Sequence, residues 1–265
     1  MLRATGESLS LSVFQRAGRR SRILLQGQLR SLGVALSLVE GKRGLEIGGP
    51  SEVFRERRRP LRRRLLPIYD HVGGLDNCDL SRKTMWATHQ DSFVFSERKA
   101  PGIHIFRDAS DLSSIPDQSY DFVLSCHNLE HLANPVKALM EWKRVTRPRG
   151  GLILVLPHYR RTFDHRRAPT PIEHMLEDYA SAMGEEDLSH LPEILNLHDL
   201  SLDPGAGSIR QFRERSQRNL SNRCLHHHVF DESNSRELLA KIGIEVLAVE
   251  LAAPFHIFLL ARFGE

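Results

Sequence analysis

Tyr120-Asp121-Phe122-Val123-Leu124-Ser125, Cys126-His127-Asn128-Leu129-Glu130-His131, Pro135–Val145, Arg149-Gly150-Gly151 and Leu152-Ile153-Leu154-Val155-Leu156-Pro157 follow one another, and their order decides the fold. The first and last stretches are short apolar runs, the signature of strands buried on both faces. Between them Val136, Leu139, Met140 and Trp142 recur at helical spacing, and Gly150-Gly151 is expected to stop that helix. A strand, a helix and a strand in this order make a parallel crossover unit.

The same alternation extends in both directions. Upstream, Gly44-Leu45-Glu46-Ile47 reads as strand one, and Gly48-Gly49-Pro50-Ser51 as a turn that opens a helix. Residues 67–76 read as strand two, ending on Asp76. Residues 80–102 are irregular, and Gly102–Asp108 alternates as strand three. Downstream, Asp231 is expected to cap a helix running to Lys241, with Gly243 beyond its end. Ile244–Leu251 and Phe255–Ala261 then form a closing hairpin, which places one antiparallel strand at the edge of an otherwise parallel sheet. Between them, residues 158–225 are polar and break the alternation, with short helices such as Ile172–Met183.

Composition narrows the class. The 265 residues are 40% hydrophobic and 26% charged, with three cysteines and no CxxC pair, which excludes a disulfide scaffold and fits a reducing, cytoplasmic setting. No apolar run is long enough to span a bilayer. The net charge of +4 is uneven: residues 1–64 hold 15 Lys/Arg against 5 Asp/Glu. Arg55, Arg57, Arg58, Arg59, Arg62, Arg63 and Arg64 are the densest cluster, read as a solvated basic loop, with nucleic acid, an anionic surface or an acidic partner as the alternative. No aromatic residues interleave with them, which weakens single-strand binding. Residues 1–40 read as a basic leader followed by a helix over Arg22–Glu40. The leader's Arg- and Ser-rich, acid-poor composition leaves organellar transit open.

Ligands of open α/β sheets bind at the carboxyl ends of the strands, so the chemistry is sought there. Gly48-Gly49 lets a ligand approach the backbone, and Glu46 suits a cation or a hydroxyl donor. Asp76 can accept from both hydroxyls of a ribose, with Asp70 as its rival, and Asp108 can meet an adenine amino group. G-x-G-x-x-G is absent after strand one, which weakens a nicotinamide cofactor.

At these residues the sequence resembles a known family. Glu46-Ile47-Gly48-Gly49 resembles the first methyltransferase motif. Leu129-Glu130-His131, Asn134-Pro135, Glu141, Arg144-Val145 and Gly150-Gly151 are similar to the core of class I, S-adenosylmethionine-dependent small-molecule methyltransferases. The resemblance spans Gly44–Pro157 and returns over Asp231–Phe263. It implies a Rossmann-like, doubly wound α/β fold of seven mostly parallel strands with the last antiparallel, over residues 41–265. It also implies S-adenosylmethionine as cofactor: Glu46, Gly48 and Gly49 at the methionine end, Asp76 at the ribose, Asp108 and Ala109 at the adenine, and His127 beside the sulfonium. Pro50 stands where the family has a second glycine. It offers no N–H and fixes φ, so the loop must hold the methionine part differently.

Residues 158–228 occupy the place of acceptor-binding elements in that family and carry eight of the fourteen histidines. Methyl transfer to a hydroxyl calls for a general base, and His127, His165 and His227 are the candidates. No stretch has clean metal-ligand spacing, so no metal is expected. Arg166 and Arg167 could meet an anionic acceptor group. The expectation is O-methylation of a small-molecule or glycan-like acceptor, since the Asn/Asp-Pro-Pro-aromatic pattern suited to nitrogen acceptors is missing after strand four. The alternative is a non-catalytic module binding RNA, an anionic surface or a protein partner.

Overall fold

The computed structural model describes residues 28–56, 65–85 and 87–265. The leader up to residue 27 and the arginines at 57–64 lie outside them.

Among the described residues there are eight strands: β1 Arg43–Ile47, β2 Gly74–Asp79, β3 Ser92–Phe93, β4 Gly102–Phe106, β5 Tyr120–Cys126, β6 Thr146–Pro157, β7 Ile244–Ala252 and β8 His256–Phe263. The helices are α1 Leu32–Val39, α2 Pro135–Val145, α3 Ile172–Ala180, α4 Leu191–Leu197, α5 Ile209–Ser216, α6 Asn219–Asn222 and α7 Glu232–Lys241. The sheet order is β3-β4-β2-β1-β5-β6-β8-β7. β4, β2, β1, β5 and β6 are mutually parallel, and β8 is antiparallel to both of its neighbours.

Period-two alternation divides two cores. Val123, Leu152, Leu154, Leu156, Ile257 and Leu259 face one side with Leu139 and Trp142 of α2 and Leu238 and Leu239 of α7. Phe122, Leu124, Ile153, Val155, Phe258 and Leu260 face the other with Leu38 of α1, Phe54 and Tyr69. The central strands are thus buried on both faces, as the apolar runs require. Asn134 caps α2 by accepting from Lys137 N–H, and Pro135 sits at the helix start where no intrahelical donor is lost. Asp231 caps α7 in a reciprocal capping box with Asn234.

The structure corrects five expectations. Strand two runs over Gly74–Asp79, not 67–76. Ile68, Tyr69 and Val72 are buried as a turn instead, held where Gly73 and Gly74 N–H donate to Lys42 O and where a Cβ at Gly73 would overlap the Gly41 carbonyl. Residues 51–56 after the glycine turn form turns, not a helix. The strand after α2 begins at Thr146, paired with Tyr120, before the two glycines, with a register shift between Tyr120 and Phe122. The antiparallel strand, β8, lies inside the sheet, and β7 is the edge. A two-residue β3 adds an eighth strand beside the seven expected. Within the inserted segment, α4, α5 and the loops around them gather a small core of Ile194, Ala206, Phe212 and Leu225.

Candidate active site at the strand ends

β1, β2 and β5 end side by side. Gly48 N–H donates to Cys78 O and Gly49 N–H to Asn77 Oδ1. Gly48 has φ +73°, and a Cβ there would overlap the Asn128 amide, whose Nδ2 donates to Ile47 O at 2.7 Å. A Cβ at Gly49 would overlap the Glu46 carboxylate. Both glycines are therefore required by close approach. The Gly49–Pro50 peptide is cis.

Glu46 is fully buried. Its carboxylate accepts from Ser51 N–H, the Ser51 hydroxyl and the Tyr69 hydroxyl. Burial outweighs these bonds and pushes its pKa up to about 7. Glu130, in the single turn after β5, is likewise buried. His127 Nδ1 stands 3.5 Å from its Oε1, and neither carboxylate oxygen has a hydrogen-bond partner among the described residues. The Cys126 thiol lies in the field of both acids. Burial first, then Glu130 and Glu46, holds its pKa well above the ordinary value.

His127 has φ +56°, which turns its half-buried ring off the end of β5. Its Nε2 lies 2.8 Å from His256 Nδ1, and its ring meets Phe255 edge-on. The inserted segment closes on this turn: His131 Nδ1 reaches Leu225 O, and His226 packs edge-on against His131. Burial opposes charge on His226, but Asp164 Oδ2 at 2.6 Å prevails and holds its pKa above the ordinary value. Burial and His226 push His131 down to about 4.

Asp76 does not end its strand. Three residues before the end, its carboxylate accepts from Arg43 Nη2 at 2.7 Å, the Tyr120 hydroxyl and Ile103 N–H, bonds that tie strands together. The acid at the carboxyl end of β2 is Asp79, which the misplaced boundary concealed. Its Oδ2 meets Asn77 Nδ2 at 2.8 Å and His104 Nε2 at 2.9 Å. Asp70 is bound to Ser96 and Arg98. Asp108, in the turn after β4, accepts from Ser110 through Oδ1 and from Arg223 of the inserted segment through Oδ2. The neighbouring Ala109 carbonyl accepts from Trp142 Nε1 at 2.9 Å. A surface cleft of about 650 Å3 opens beside this turn, lined by Ser110, Asp111, Lys137, Glu141, Arg144 and Tyr179, and it contains none of the glycine-turn residues.

The three histidines proposed as bases are not brought together. His127 is at the strand ends. His165, part-exposed, pairs with Asp199 at 2.9 Å. His227 is fully buried, with Nε2 2.9 Å from Asn219 Nδ2 and a pKa that burial and His190 push down to about 3. It has no surface to offer an acceptor. Arg166 pairs with Asp199, and Arg167 is buried on Asp164, Glu193 and the carbonyls of His226 and His227.

A sulfonium with an ammonium group needs anionic, dry surroundings near a close-packed turn. Two buried carboxylates beside Gly48-Gly49, one of them without a hydrogen-bond partner, meet that requirement, so the donor set fits S-adenosylmethionine. Among the described residues no helix is long and apolar enough to cross a membrane.

Residues 67–154, about one third of the chain, match the family model for a methyltransferase domain. No curated protein sequence matches the chain. Among solved structures it is similar to an S-adenosylmethionine-dependent methyltransferase from Mesorhizobium loti (14% identity, 88% of this chain and 95% of that one, TM-score 0.47). It is also similar to one from Aquifex aeolicus (14% identity, 86% of each chain, TM-score 0.39). A third is the methyltransferase CalH in complex with S-adenosylhomocysteine (16% identity, 88% of this chain and 54% of that one, TM-score 0.44). The segment that matches the methyltransferase-domain model thus lies within a mostly parallel sheet closed by an antiparallel hairpin.

Proposed function

We propose that this domain transfers the methyl group to an oxygen of a small-molecule or glycan-like acceptor held between the strand ends and residues 158–228. The observation that carries the reading is the fully buried carboxylate of Glu130, 3.5 Å from His127 Nδ1 at the carboxyl end of β5, under the histidines of the inserted segment.

Bound S-adenosylmethionine supplies an electrophilic methyl carbon on a sulfonium. Glu46 and the Gly48-Gly49 turn hold its methionine end, and Glu130 offsets its positive charge. Asp79, as the acid that ends β2, takes the ribose in place of Asp76, and Asp108 with Ala109 borders the adenine. His127 would accept the proton of the acceptor hydroxyl, and the bound cofactor would supply the methyl group. Glu130 beside Nδ1 stabilises the resulting imidazolium, and residues 158–228 orient the acceptor and keep water away.

The test is methyl transfer from labelled S-adenosylmethionine to a panel of sugars and glycans, with calorimetry on the cofactor. His127→Ala is expected to slow turnover by about 10²–10⁴-fold at nearly unchanged cofactor affinity. Gly48→Arg is expected to abolish cofactor binding, and His165→Ala to spare it. Label on nitrogen, or full turnover in His127→Ala, would overturn the reading.

A further inference from the structure

Four side chains of the inserted segment converge on one point that methyl transfer does not use. His174 and Asp178 stand one turn apart on the same face of α3, with Nε2 and Oδ2 3.6 Å apart. His190, the residue before α4, brings its Nε2 to 3.0 Å from that of His174. His228, on the segment that runs back beneath Leu129-Glu130-His131, has its Nε2 3.6 Å from Asp178 Oδ2. One ligand atom from each of the four lies within 4.8 Å of every other.

We propose that His174, Asp178, His190 and His228 form a binding site for one divalent transition-metal ion of the zinc type. Three imidazoles and a carboxylate are a donor set that suits such an ion, and four protein ligands make a closed, structural site. Metal–nitrogen and metal–oxygen bonds of about 2.0–2.1 Å in a tetrahedron put ligand atoms roughly 3.3 Å apart. The contacts of 3.0 and 3.6 Å bracket that spacing.

A second observation points to the same occupant. Asp178 is 4% exposed, and its Oδ2, aimed at the imidazoles, has no hydrogen-bond partner among the described residues. A buried carboxylate oxygen in that state calls for a cation. His228 is 1% exposed. Its Nε2 lies 3.2 Å from the Ala133 carbonyl, while its Nδ1 is buried with no partner. The Ala133 carbonyl thus fixes the ring where its Nε2 also faces Asp178 Oδ2. Asp178 O also accepts from Asn134 Nδ2, so the site is tied to the start of α2.

The sequence hid this cluster because its members come from three separate segments. Only His174 and Asp178 share one segment, and a single pair is no ligand motif. An ion here would pin α3, the start of α4 and the 225–230 segment to one another beside the Leu129-Glu130-His131 turn. The inference stands whether or not the acceptor reading holds.

The experiment uses the untagged full chain, stripped with a strong chelator and reloaded with zinc chloride or, separately, cobalt chloride. One equivalent of zinc per chain is expected after desalting, with a rise in Tm on zinc addition. Cobalt is expected to give the intense visible absorption of a tetrahedral site. His174→Ala and His190→Ala, both part-exposed positions whose loss leaves the core intact, should weaken zinc binding by more than the roughly 100-fold that loss of an outer-shell partner costs. They should also abolish the cobalt bands, while His165→Ala retains both. Substoichiometric zinc in the parent chain, or cobalt bands that persist in His174→Ala and His190→Ala, would overturn the proposal.

Discussion

Glu46 is a carboxylate that burial has left short of a cation. Its partners are two hydroxyls and one N–H, and its pKa is raised to about 7. In the unfolded chain the same group titrates near 4.5. Between those values the folded state holds more protons than the unfolded one, so this residue's contribution is complete below the lower pH and is lost as pH rises through the upper. The loss amounts to about 3 kcal/mol. Urea unfolding of the cofactor-free chain from about pH 5 to pH 7 is expected to show stability falling more steeply than in Glu46→Gln. Parallel curves for the two proteins would refute it. At this scale the sequence was informative where a residue adjoins a well-marked strand: Glu46, Gly48, Gly49 and His127 all stand at strand ends. Asp79 was missed because the apolar run at 65–72 imitates a strand, although it is buried as a turn. Glu130 was legible as a motif letter, but its missing hydrogen-bond partner exists only in three dimensions.

α2 connects packing to the site. Trp142 is fully buried against β5 and β6, and its Nε1–H donates to the Ala109 carbonyl in the turn assigned to the adenine. Two effects can be separated there. Trp142→Ala is expected to cost about 3–5 kcal/mol in urea unfolding, through lost burial and the cavity left behind. Trp142→Phe keeps most of the bulk and loses the hydrogen bond, at about 1 kcal/mol. Calorimetry should show several-fold weaker cofactor binding in Trp142→Phe. Unchanged affinity there would separate the helix from the adenine turn. Two helices stand where the sequence puts them: α2 by the period of Val136, Leu139, Met140 and Trp142, and α7 by Asp231 and Gly243. The start of β6 was misplaced, because the polar Thr146-Arg147-Pro148-Arg149 stretch pairs by its backbone and leaves no apolar trace.

At the scale of the whole molecule, the inserted segment is fastened to the sheet by charge. Arg223, in the left-handed conformation, pairs with Asp108 at 2.7 Å and with Glu185, whose other oxygen accepts from Ala133 N–H. Removing the guanidinium leaves two acids facing each other with little water. Arg223→Ala is therefore expected to destabilise the fold by up to about 3 kcal/mol and to speed proteolytic cleavage within residues 158–225. An unaltered digestion pattern would show that the segment is held by other contacts. None of this was visible in the sequence, since Asp108 and Arg223 lie far apart along it and no periodicity joins them. What was visible is that the alternation breaks at 158 and resumes at 231.

The placement of β8 between β6 and β7 has a consequence for how the chain is made. During synthesis β6 emerges with its outer edge bare, and β7 cannot cover it, because β8 must lie between them. The 98 residues between β6 and β8, the whole inserted segment among them, are translated while an apolar edge of Leu152, Ile153, Leu154, Val155 and Leu156 awaits its partner. That interval is the time when nascent chains of this domain are most open to pairing with one another.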